Sequence, residues 1–281
     1  MRSFGKKFIA LLLLLLLLAS PVPAFAEEAG LEVHFLDVGE ADATVVFCEG
    51  QTMLIDGGNV ADSQFIYAWL KEHGVEKIDV MVCTHPHEDH VGGLSAALNA
   101  AECGIAYMSV TDYGTKACQS FLKYLEEGSV PLVIPAAGDR FTLGSAEVTV
   151  LGPVTLDAEN LNNCSLVLRL DYGETAFLFM ADAETEEEDA ILASGADVSC
   201  QVLRVGHHGS GTSSGKDFVA AASPEIAVVS VGENTYGHPH ENILARYESL
   251  GAAVYRTDEC GEIVCRSDGE SVRVETEKEN P

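Results

Sequence analysis

Positive charge is scarce in this sequence. Its 281 residues include 16 Lys and Arg against 44 Asp and Glu, for a formal net charge of −28. Three of the basic residues lie before Ala26, so the rest of the chain has 16 − 3 = 13 basic residues against the same 44 acidic ones, a formal charge of −31. Such a surface repels polyanions at long range, which argues against tight, extended binding to nucleic acid. Bound metal ions can still create a local positive site.

Long apolar runs are also lacking, except for one at the start. Residues 8–19 are leucine-rich, follow three basic residues, and precede an Ala-Phe-Ala sequence at 24–26 that fits a signal-peptidase site. A run of 12 residues is too short to span a bilayer comfortably. We therefore predict a signal peptide over residues 1–26, secretion of a domain over 27–281, and no membrane span after cleavage. An uncleaved membrane anchor is the alternative.

The eight cysteines show no regular spacing that would mark a disulfide framework. Cys48, Cys83 and Cys200 lie in or beside apolar runs, where cysteine usually acts as a small hydrophobe. Cys260 and Cys265 flank a turn in a predicted hairpin and form the most plausible pair. The alternative is that all eight stay reduced.

After the leader, short apolar strands alternate with helices, without a linker or a repeat. We predict helices at 62–72, 93–101, 116–127 and 240–250, with another beginning near Glu184. The predicted strands are 31–35, 43–47, 52–55, 80–83, 106–110, 148–151, 166–170, 176–180, 201–205, 226–231, 254–255, 262–265 and 272–275. This order suits an α/β fold with two mixed sheets between helices, and polar clusters follow the strand ends, where such sheets place ligands.

The strongest chemical signal is the segment 84–93, which reads T-H-P-H-E-D-H-V-G-G. Three histidines and an aspartate fall within six residues, directly after an apolar strand. Neutral imidazole and carboxylate together suit Zn²⁺, Mn²⁺ or Fe²⁺. A solvated polar loop is the alternative, but it rarely combines this spacing with a buried strand before it and a Gly-Gly helix start after it.

This segment resembles the H-x-H-x-D-H motif of the metallo-β-lactamase superfamily, and the resemblance extends over about residues 31–274. It implies an αββα sandwich. Matched to the motif, His85 and His87 bind a first metal ion, while Asp89 and His90 bind a second. Asp89 is also placed to accept a proton from the bridging water.

Two further aspartates match superfamily motifs. Asp182 follows the strand predicted at 176–180 and resembles the aspartate that bridges the two metal ions, although it could also cap the next helix. Asp56 follows the strand at 52–55 and resembles the aspartate that orients the metal loop. A simple turn residue is the alternative for Asp56.

Three histidines late in the chain follow apolar strands and can reach the same cavity. By its order along the chain, His238 resembles the superfamily's final metal histidine. His207 and His208 then lie where related phosphodiesterases keep residues that protonate the leaving group. The reverse assignment, with one of this pair as the ligand, stays open. We interpret His34 and His240 as solvent-facing loop histidines.

Five more segments resemble the metallo-β-lactamase domain of ComEC-type DNA-internalisation competence proteins. Residues 35–43 read F-L-D-V-G-E-A-D-A where that family has F-L-D-V-G-Q-G-D-A, and residues 162–170 read N-N-C-S-L-V-L-R-L. The others are 206–210, 234–239 and 255–258. All five occur in the family's order, which is specific to this branch.

Two departures from the family matter. The membrane channel of full competence proteins has no counterpart after Ala26, which implies a free-standing relative. In addition, no histidine lies between His90 and His207, where most superfamily members have a third ligand for the first metal. Asn163 or Ser165 stands in that region, and an amide oxygen is a weaker ligand. We expect a first site that is labile or that favours Mn²⁺ over Zn²⁺.

The resemblance implies hydrolysis by water activated on one or two divalent ions, Zn²⁺ or Mn²⁺, with His207 or His208 donating a proton to the leaving group. The implied substrate is a phosphodiester, single-stranded DNA included. The acidic surface instead favours a small phosphodiester or a cell-wall phosphocholine ester. A β-lactam fits less well, because β-lactam hydrolases keep the third histidine. An alternative of another class is a non-catalytic extracellular binding module.

Overall fold

The structure is a computed structural model that describes residues 30–157 and 159–280. The predicted signal peptide lies outside these residues. Among the described residues, no helix combines the length and apolar character needed to cross a membrane.

Short, β-branched and apolar segments form strands in two sheets. The strands of the first sheet are β1 (Leu31–Phe35), β2 (Thr44–Cys48), β3 (Gln51–Ile55), β4 (Lys77–Cys83), β5 (Glu102–Met108), β6 (Leu132–Val133), β14 (Ile263–Ser267) and β15 (Val272–Thr276). Those of the second are β7 (Arg140–Leu143), β8 (Ala146–Gly152), β9 (Val167–Tyr172), β10 (Thr175–Phe179), β11 (Val202–Arg204), β12 (Ile226–Val229) and β13 (Ala253–Arg256).

Helices connect many of these strands. They are α1 (Ser63–Glu72), α2 (Glu88–Val91), α3 (Leu94–Ala100), α4 (Lys116–Glu127), α5 (Thr185–Ser194), α6 (Lys216–Ala222), α7 (Glu241–Ser249) and α8 (Thr257–Cys260). Short 3₁₀ turns occupy Val60–Asp62, Leu161–Cys164 and Gly206–Gly209.

Both sheets are mixed, as the sequence predicts. The first has the order β15-β14-β1-β2-β3-β4-β5-β6 and the second β13-β12-β11-β10-β9-β8-β7. Strands β3 to β6 run parallel, and so do β10 to β13. Each sheet therefore has a set of carboxyl strand ends at one edge.

The core forms three layers. Side chains from both sheets, such as Phe35 and Phe177, pack together between them. Helices α1, α3 and α4 cover the outer face of the first sheet through residues such as Phe121. Helices α5, α6 and α7 cover the second through residues such as Phe218 and Tyr247. The αββα sandwich is thus confirmed.

The structure separates two alternatives for the cysteines and corrects one interpretation of a histidine. Of the two cysteine alternatives, eight free thiols are observed and the Cys260–Cys265 disulfide is not. Cys260 belongs to α8 rather than to the hairpin, and its thiol contacts the side chain of Asn280 at 3.3 Å. His34 is not a solvent-facing loop residue, because it lies in β1, is 6% exposed, and has Nδ1 2.7 Å from Glu262.

Candidate metal centre

The carboxyl ends of the parallel strands bring the predicted ligands together. In the first sheet, Asp56 follows β3, and the loop from Thr84 to His90 follows the neighbouring strand β4. In the second sheet, Asp182 comes three residues after β10, and the Gly206–Gly209 turn follows β11. The backbone N–H of Leu166 donates to the carbonyl of Thr84 and links the two edges.

Several residues of the site have a left-handed backbone conformation. Asp56, Ala181, His207 and His208 have φ between 47° and 57°, and they are four of the eight non-glycine residues with positive φ among those described. This conformation costs about 1–3 kcal/mol per residue and persists where the surrounding structure enforces it. The strain is concentrated at the strand ends that carry the candidate ligands.

Glycines let the histidine loop dock closely on the loop after β3. A Cβ at Gly93 would lie 2.1 Å from the carbonyl oxygen of Gly57, and one at Gly92 would lie 2.3 Å from the backbone of Asn59 and Val60. The N–H of Gly57 donates to the carbonyl of His90 at 2.7 Å. The Gly-Gly pair after the motif therefore serves backbone packing.

Four residues form a cluster that we call cluster two: Asp89, His90, His208 and Oδ1 of Asp182. Their ligand atoms all lie within 4.8 Å of one another. Nε2 of His90 is 3.3 Å from Asp182 Oδ1 and 3.7 Å from Asp89. Nε2 of His208 is 3.4 Å from Asp89 and 3.7 Å from Asp182 Oδ1.

The opposite oxygen of Asp182 faces a second group, which we call cluster one: His85, His87, His207 and Oδ2 of Asp182. Nε2 of His85 is 3.0 Å from Nδ1 of His87 and 3.8 Å from Asp182 Oδ2. Nε2 of His207 is 3.7 Å from the same oxygen. Asp182 thus presents one carboxylate oxygen to each cluster.

The residues of cluster two fit a divalent metal ion. Nε2 of His90, Nε2 of His208 and Oδ1 of Asp182 are buried and have no hydrogen-bond partner. Buried polar atoms without partners are costly. Nitrogen and oxygen ligands about 2.0–2.2 Å from one tetrahedral ion lie roughly 3.4 Å apart, close to the spacing in cluster two.

The ring nitrogens on the far side of the cluster have fixed partners. Nδ1 of His90 donates to Asp56 Oδ2 at 2.8 Å, and Nδ1 of His208 donates to the carbonyl of Ser230 at 2.9 Å. Asp56 also accepts from the backbone and hydroxyl of Thr84 at 2.8 and 2.7 Å. These bonds leave each Nε2 lone pair free for a metal ion.

The buried carboxylates of the site shift the pKa values of the histidines beside them. Burial opposes a charge on His90, yet Asp182, Asp89 and Asp56 hold its pKa well above the usual value. Burial and the charge of His90 instead hold the pKa of His85 well below its usual value. The pKa of Asp182 lies well below its ordinary value, because the nearby histidines outweigh its burial. The buried carboxylates therefore favour a positive charge at the position of His90.

A buried ion pair lies behind cluster two. The guanidinium of Arg204 binds the carboxylate of Asp42 and donates to the carbonyls of Ala181 and Val205 at 2.6 and 2.8 Å. Asp42 lies 3.7 Å from Nδ1 of His90, and its N–H donates to the carbonyl of Asp89. The pair thus connects the ligand-bearing segments of both sheets.

His238 lies beside the clusters but is not part of cluster two. Its Nδ1 is 2.7 Å from Oε1 of Glu40, and its ring centroid is 5.6 Å from that of His207. Glu40 also accepts from Gly232 and Asn234 at 3.2 Å. A carboxylate therefore orients this ring, and Nε2 stays free for another partner.

The clusters open into a cavity of about 690 Å³. Asp89, Asp182, His207, His208 and His238 line it, along with His87. His85 and His90 are fully buried beneath the cavity. Every residue that the sequence singled out for catalysis or metal binding thus lies in or below one cavity, while the individual roles remain predictions.

The two residues expected to replace a third histidine behave differently. Oδ1 of Asn163 accepts from the N–H of Glu184 at 2.9 Å, which uses one of its two lone pairs. The hydroxyl of Ser165 lies 3.4 Å from Nδ1 of His85 and accepts from the N–H of Asp182. His207, which lies in the later segment 206–210, joins His85 and His87 in cluster one.

Sequence reasoning missed three structural partners of the clusters. Asp42 and Glu40 lie in the segment 35–43, which the sequence marks only by its family resemblance, and Arg204 lies in the strand predicted at 201–205. The polar residues in the otherwise apolar segment 35–43 were the available signal.

Residues 211–215 read G-T-S-S-G, which matches the G-x-S-x-G pattern of a nucleophile elbow. Ser213 at its centre is 1% exposed, and its hydroxyl donates to the carbonyl of Ala183 at 2.8 Å. A nucleophile elbow exposes its serine at a strand-to-helix turn. The match therefore carries no catalytic role.

Known proteins are similar to most of this chain. ComE operon protein 3 of Bacillus subtilis is 26% identical over 87% of this chain and 34% of its own length. Competence protein ComA of Neisseria gonorrhoeae is 31% identical over 85% of this chain and 33% of its own length. The chain thus spans about a third of these relatives.

A solved structure shares the fold. The metallo-beta-lactamase fold protein YhfI from Bacillus subtilis superposes with a TM-score of 0.59 at 13% identity, covering 85% of this chain and all of that one. The family model for the metallo-beta-lactamase superfamily matches residues 36–233, which include most of the candidate ligands. The chain therefore belongs to the metallo-beta-lactamase superfamily, and its relatives include ComEC-like competence proteins.

Proposed function

We propose that the protein is a metal-dependent phosphodiesterase. The observation that carries the proposal is the two-sided carboxylate of Asp182, with unpartnered histidine nitrogens facing Oδ1 and a second group of histidines facing Oδ2. Cluster two would hold one divalent ion and cluster one a second. We propose Zn²⁺ or Mn²⁺, because both accept imidazole and carboxylate ligands.

Bound divalent ions would supply Lewis acidity and lower the pKa of water toward neutrality. The protein supplies positions for the other groups. Asp89 is partly exposed to the cavity, unlike the buried Asp182. This exposure supports the proposal that Asp89 orients the water and accepts its proton.

The proton donor for the leaving group is assigned differently from the sequence-based prediction. His208 faces cluster two with a buried Nε2, which favours a ligand role over the donor role. His238 has Nδ1 fixed by Glu40 and lines the cavity, which favours the donor role. His207, whose side chain is 21% exposed, can serve cluster one.

A phosphodiester substrate is supported by the likeness to competence proteins, and single-stranded DNA is one candidate. The formal charge of −28 favours a second candidate, a small phosphodiester or a phosphocholine ester of a cell-wall polymer. The leader-like pattern of residues 1–26 supports action outside the cytoplasm.

The test is hydrolysis of bis-(p-nitrophenyl) phosphate and of fluorescent single-stranded DNA, side by side, with Mn²⁺ or Zn²⁺. We expect metal-dependent cleavage of the small ester that is lost in His87→Ala. Cleavage of the DNA as well would support a nuclease. Equal hydrolysis rates for the wild-type protein and His87→Ala on both substrates would contradict the proposal and favour the non-catalytic binding module.

A further inference from the structure

An aromatic ring stands exposed at the mouth of the cavity. Tyr236 is 73% exposed, more than any other large apolar side chain among the described residues. Its ring stacks on that of His238, with the centroids 5.5 Å apart and the planes at 26°. One face of His238 is thus covered by a ring whose remaining surface is open to solvent.

The loop that carries Tyr236 is fixed in place. Oδ1 of Asn234 accepts from the backbone N–H groups of Tyr236, Gly237 and His238 at 2.9 to 3.1 Å. Its Nδ2 donates to Glu40 and to the carbonyls of Gly232 and His238. The backbone that carries the exposed ring is therefore preorganised, which lowers the entropy cost of binding a ligand against the ring.

The cavity around the ring is acidic. Five carboxylates line it, those of Glu40, Glu88, Asp89, Asp182 and Glu233, and among the described residues no lysine or arginine does. Asp89 and Asp182 belong to the metal clusters and Glu40 binds His238, so the exposed side chains of Glu88 and Glu233 remain at the rim. Flanking phosphates of a polymer would meet no cation there.

The unpartnered buried atoms Asp182 Oδ1 and His208 Nε2 fix the inner end of the same cavity. A reacting phosphodiester held there would direct one of its ester arms toward the rim. An aromatic face in a cavity lined by carboxylates attracts a cation through the ring quadrupole and through Coulomb attraction.

Resting on the proposed phosphodiesterase activity, we propose that Tyr236, Glu88 and Glu233 form a subsite for a positively charged alkylammonium group on one arm of the substrate. The subsite selects a single phosphodiester with a cationic arm over a polyanionic strand. Tyr236 determines specificity and takes no part in the chemistry.

The test compares three phosphodiesters that share p-nitrophenol as the leaving group and differ in the alcohol of the second ester arm. The first arm is choline, the second is its uncharged carbon isostere 3,3-dimethylbutanol, and the third is the 5′-hydroxyl of thymidine. We expect kcat/KM for the choline ester to exceed that of the isostere by about threefold to thirtyfold, the range expected of a cation–π contact. Equal values for the two, or a preference for the thymidine ester, would overturn the proposal.

Substitutions at Tyr236 and Glu233 test whether these side chains cause the preference for the choline ester. Tyr236→Ala should raise KM for the choline ester and remove its preference over the isostere, whereas Tyr236→Phe should keep that preference. A preference that survives in Tyr236→Ala would contradict the role of the ring. Glu233→Gln should reduce the preference at low ionic strength, because exposed charges are screened by salt.

The two proposals fail in different ways. Absence of metal-dependent turnover of bis-(p-nitrophenyl) phosphate would overturn the phosphodiesterase and the subsite with it. Turnover of that ester without a preference for the choline arm would overturn the subsite alone.

Discussion

At the scale of single residues, the site depends on which histidine completes cluster two. Nε2 of His208 lies 3.7 Å from Asp182 Oδ1 and is buried without a partner, while His238 is held by Glu40. Order along the chain favoured His238 as the ligand. His208 faces cluster two instead of His238 because the backbone turns through a left-handed conformation at 207–208, which the residue types there do not predict.

We expect His208→Ala to lose one equivalent of bound metal and His238→Ala to keep the wild-type content. Removing an Nε2 that faces two carboxylates removes a ligand, whereas removing a ring bound to Glu40 does not. Metal analysis after dialysis measures both. His240→Ala, at the start of α7, is the control. The reverse result for the first two variants would contradict the assignment.

Arg204 should be essential to stability because it neutralises the buried carboxylate of Asp42. Removing one member of a buried ion pair costs about 3–5 kcal/mol, since the other charge is left without compensation. Arg204→Leu should lower the free energy of unfolding by about that amount in urea titrations with chelator present. The double variant with Asp42→Leu should recover part of the loss. A cost below about 1 kcal/mol for Arg204→Leu would show that the pair is dispensable.

At the scale of elements, the docking of the histidine loop depends on glycine. A Cβ at Gly93 would lie 2.1 Å from the carbonyl oxygen of Gly57, whereas one at Gly114 would meet nothing within 4 Å. We expect Gly93→Ala to destabilise the protein by more than about 3 kcal/mol, and Gly114→Ala to change stability by less than about 0.5 kcal/mol. Thermal unfolding of both variants measures this. Equal melting temperatures would show that the loop adapts.

Helix α5 carries a buried carboxyl that titrates unusually. Burial raises the pKa of Glu187 to about 7, and Oε1 accepts from the N–H of Val154 at 2.7 Å. Because the folded pKa is raised above the unfolded one, this group stabilises the fold below the unfolded value, and that contribution is lost as the pH rises through about 7.

Glu187→Gln mimics the neutral acid and can keep the bond to Val154. We expect it to match wild type near about pH 4 and to exceed it by about 2–3 kcal/mol near pH 8. Urea titrations at both pH values measure the difference, with the exposed neighbour Glu186→Gln as the control. A gain of the same size at both pH values would contradict the raised pKa.

Elements with a clear apolar pattern were predictable from the sequence. Helix α4 occupies 116–127 as predicted, and the β9–β10 hairpin lies within two residues of its predicted place. The edge strands β6 and β7 were missed, because a short strand with one covered side has little apolar periodicity. Helix α6 was also not predicted.

At the scale of the whole molecule, the layered fold was predictable because the alternation of strands and helices allows few arrangements. The shared edge of the two sheets was also predictable, from polar residues that follow strand ends. The inner partners were not, because the contact between Asp42 and Arg204 joins residues 162 positions apart. Such long-range pairing of charges is decided by the packing of the two sheets.

The most direct test of the central claim is a titration of the metal-free protein with Mn²⁺ while hydrolysis of bis-(p-nitrophenyl) phosphate is followed. The account predicts that the rate rises from zero, saturates after no more than two equivalents, and stays near zero in Asp182→Asn, whose amide can no longer offer a carboxylate oxygen to each cluster. Hydrolysis that persists in chelator, or that continues at the wild-type rate in Asp182→Asn, would contradict it.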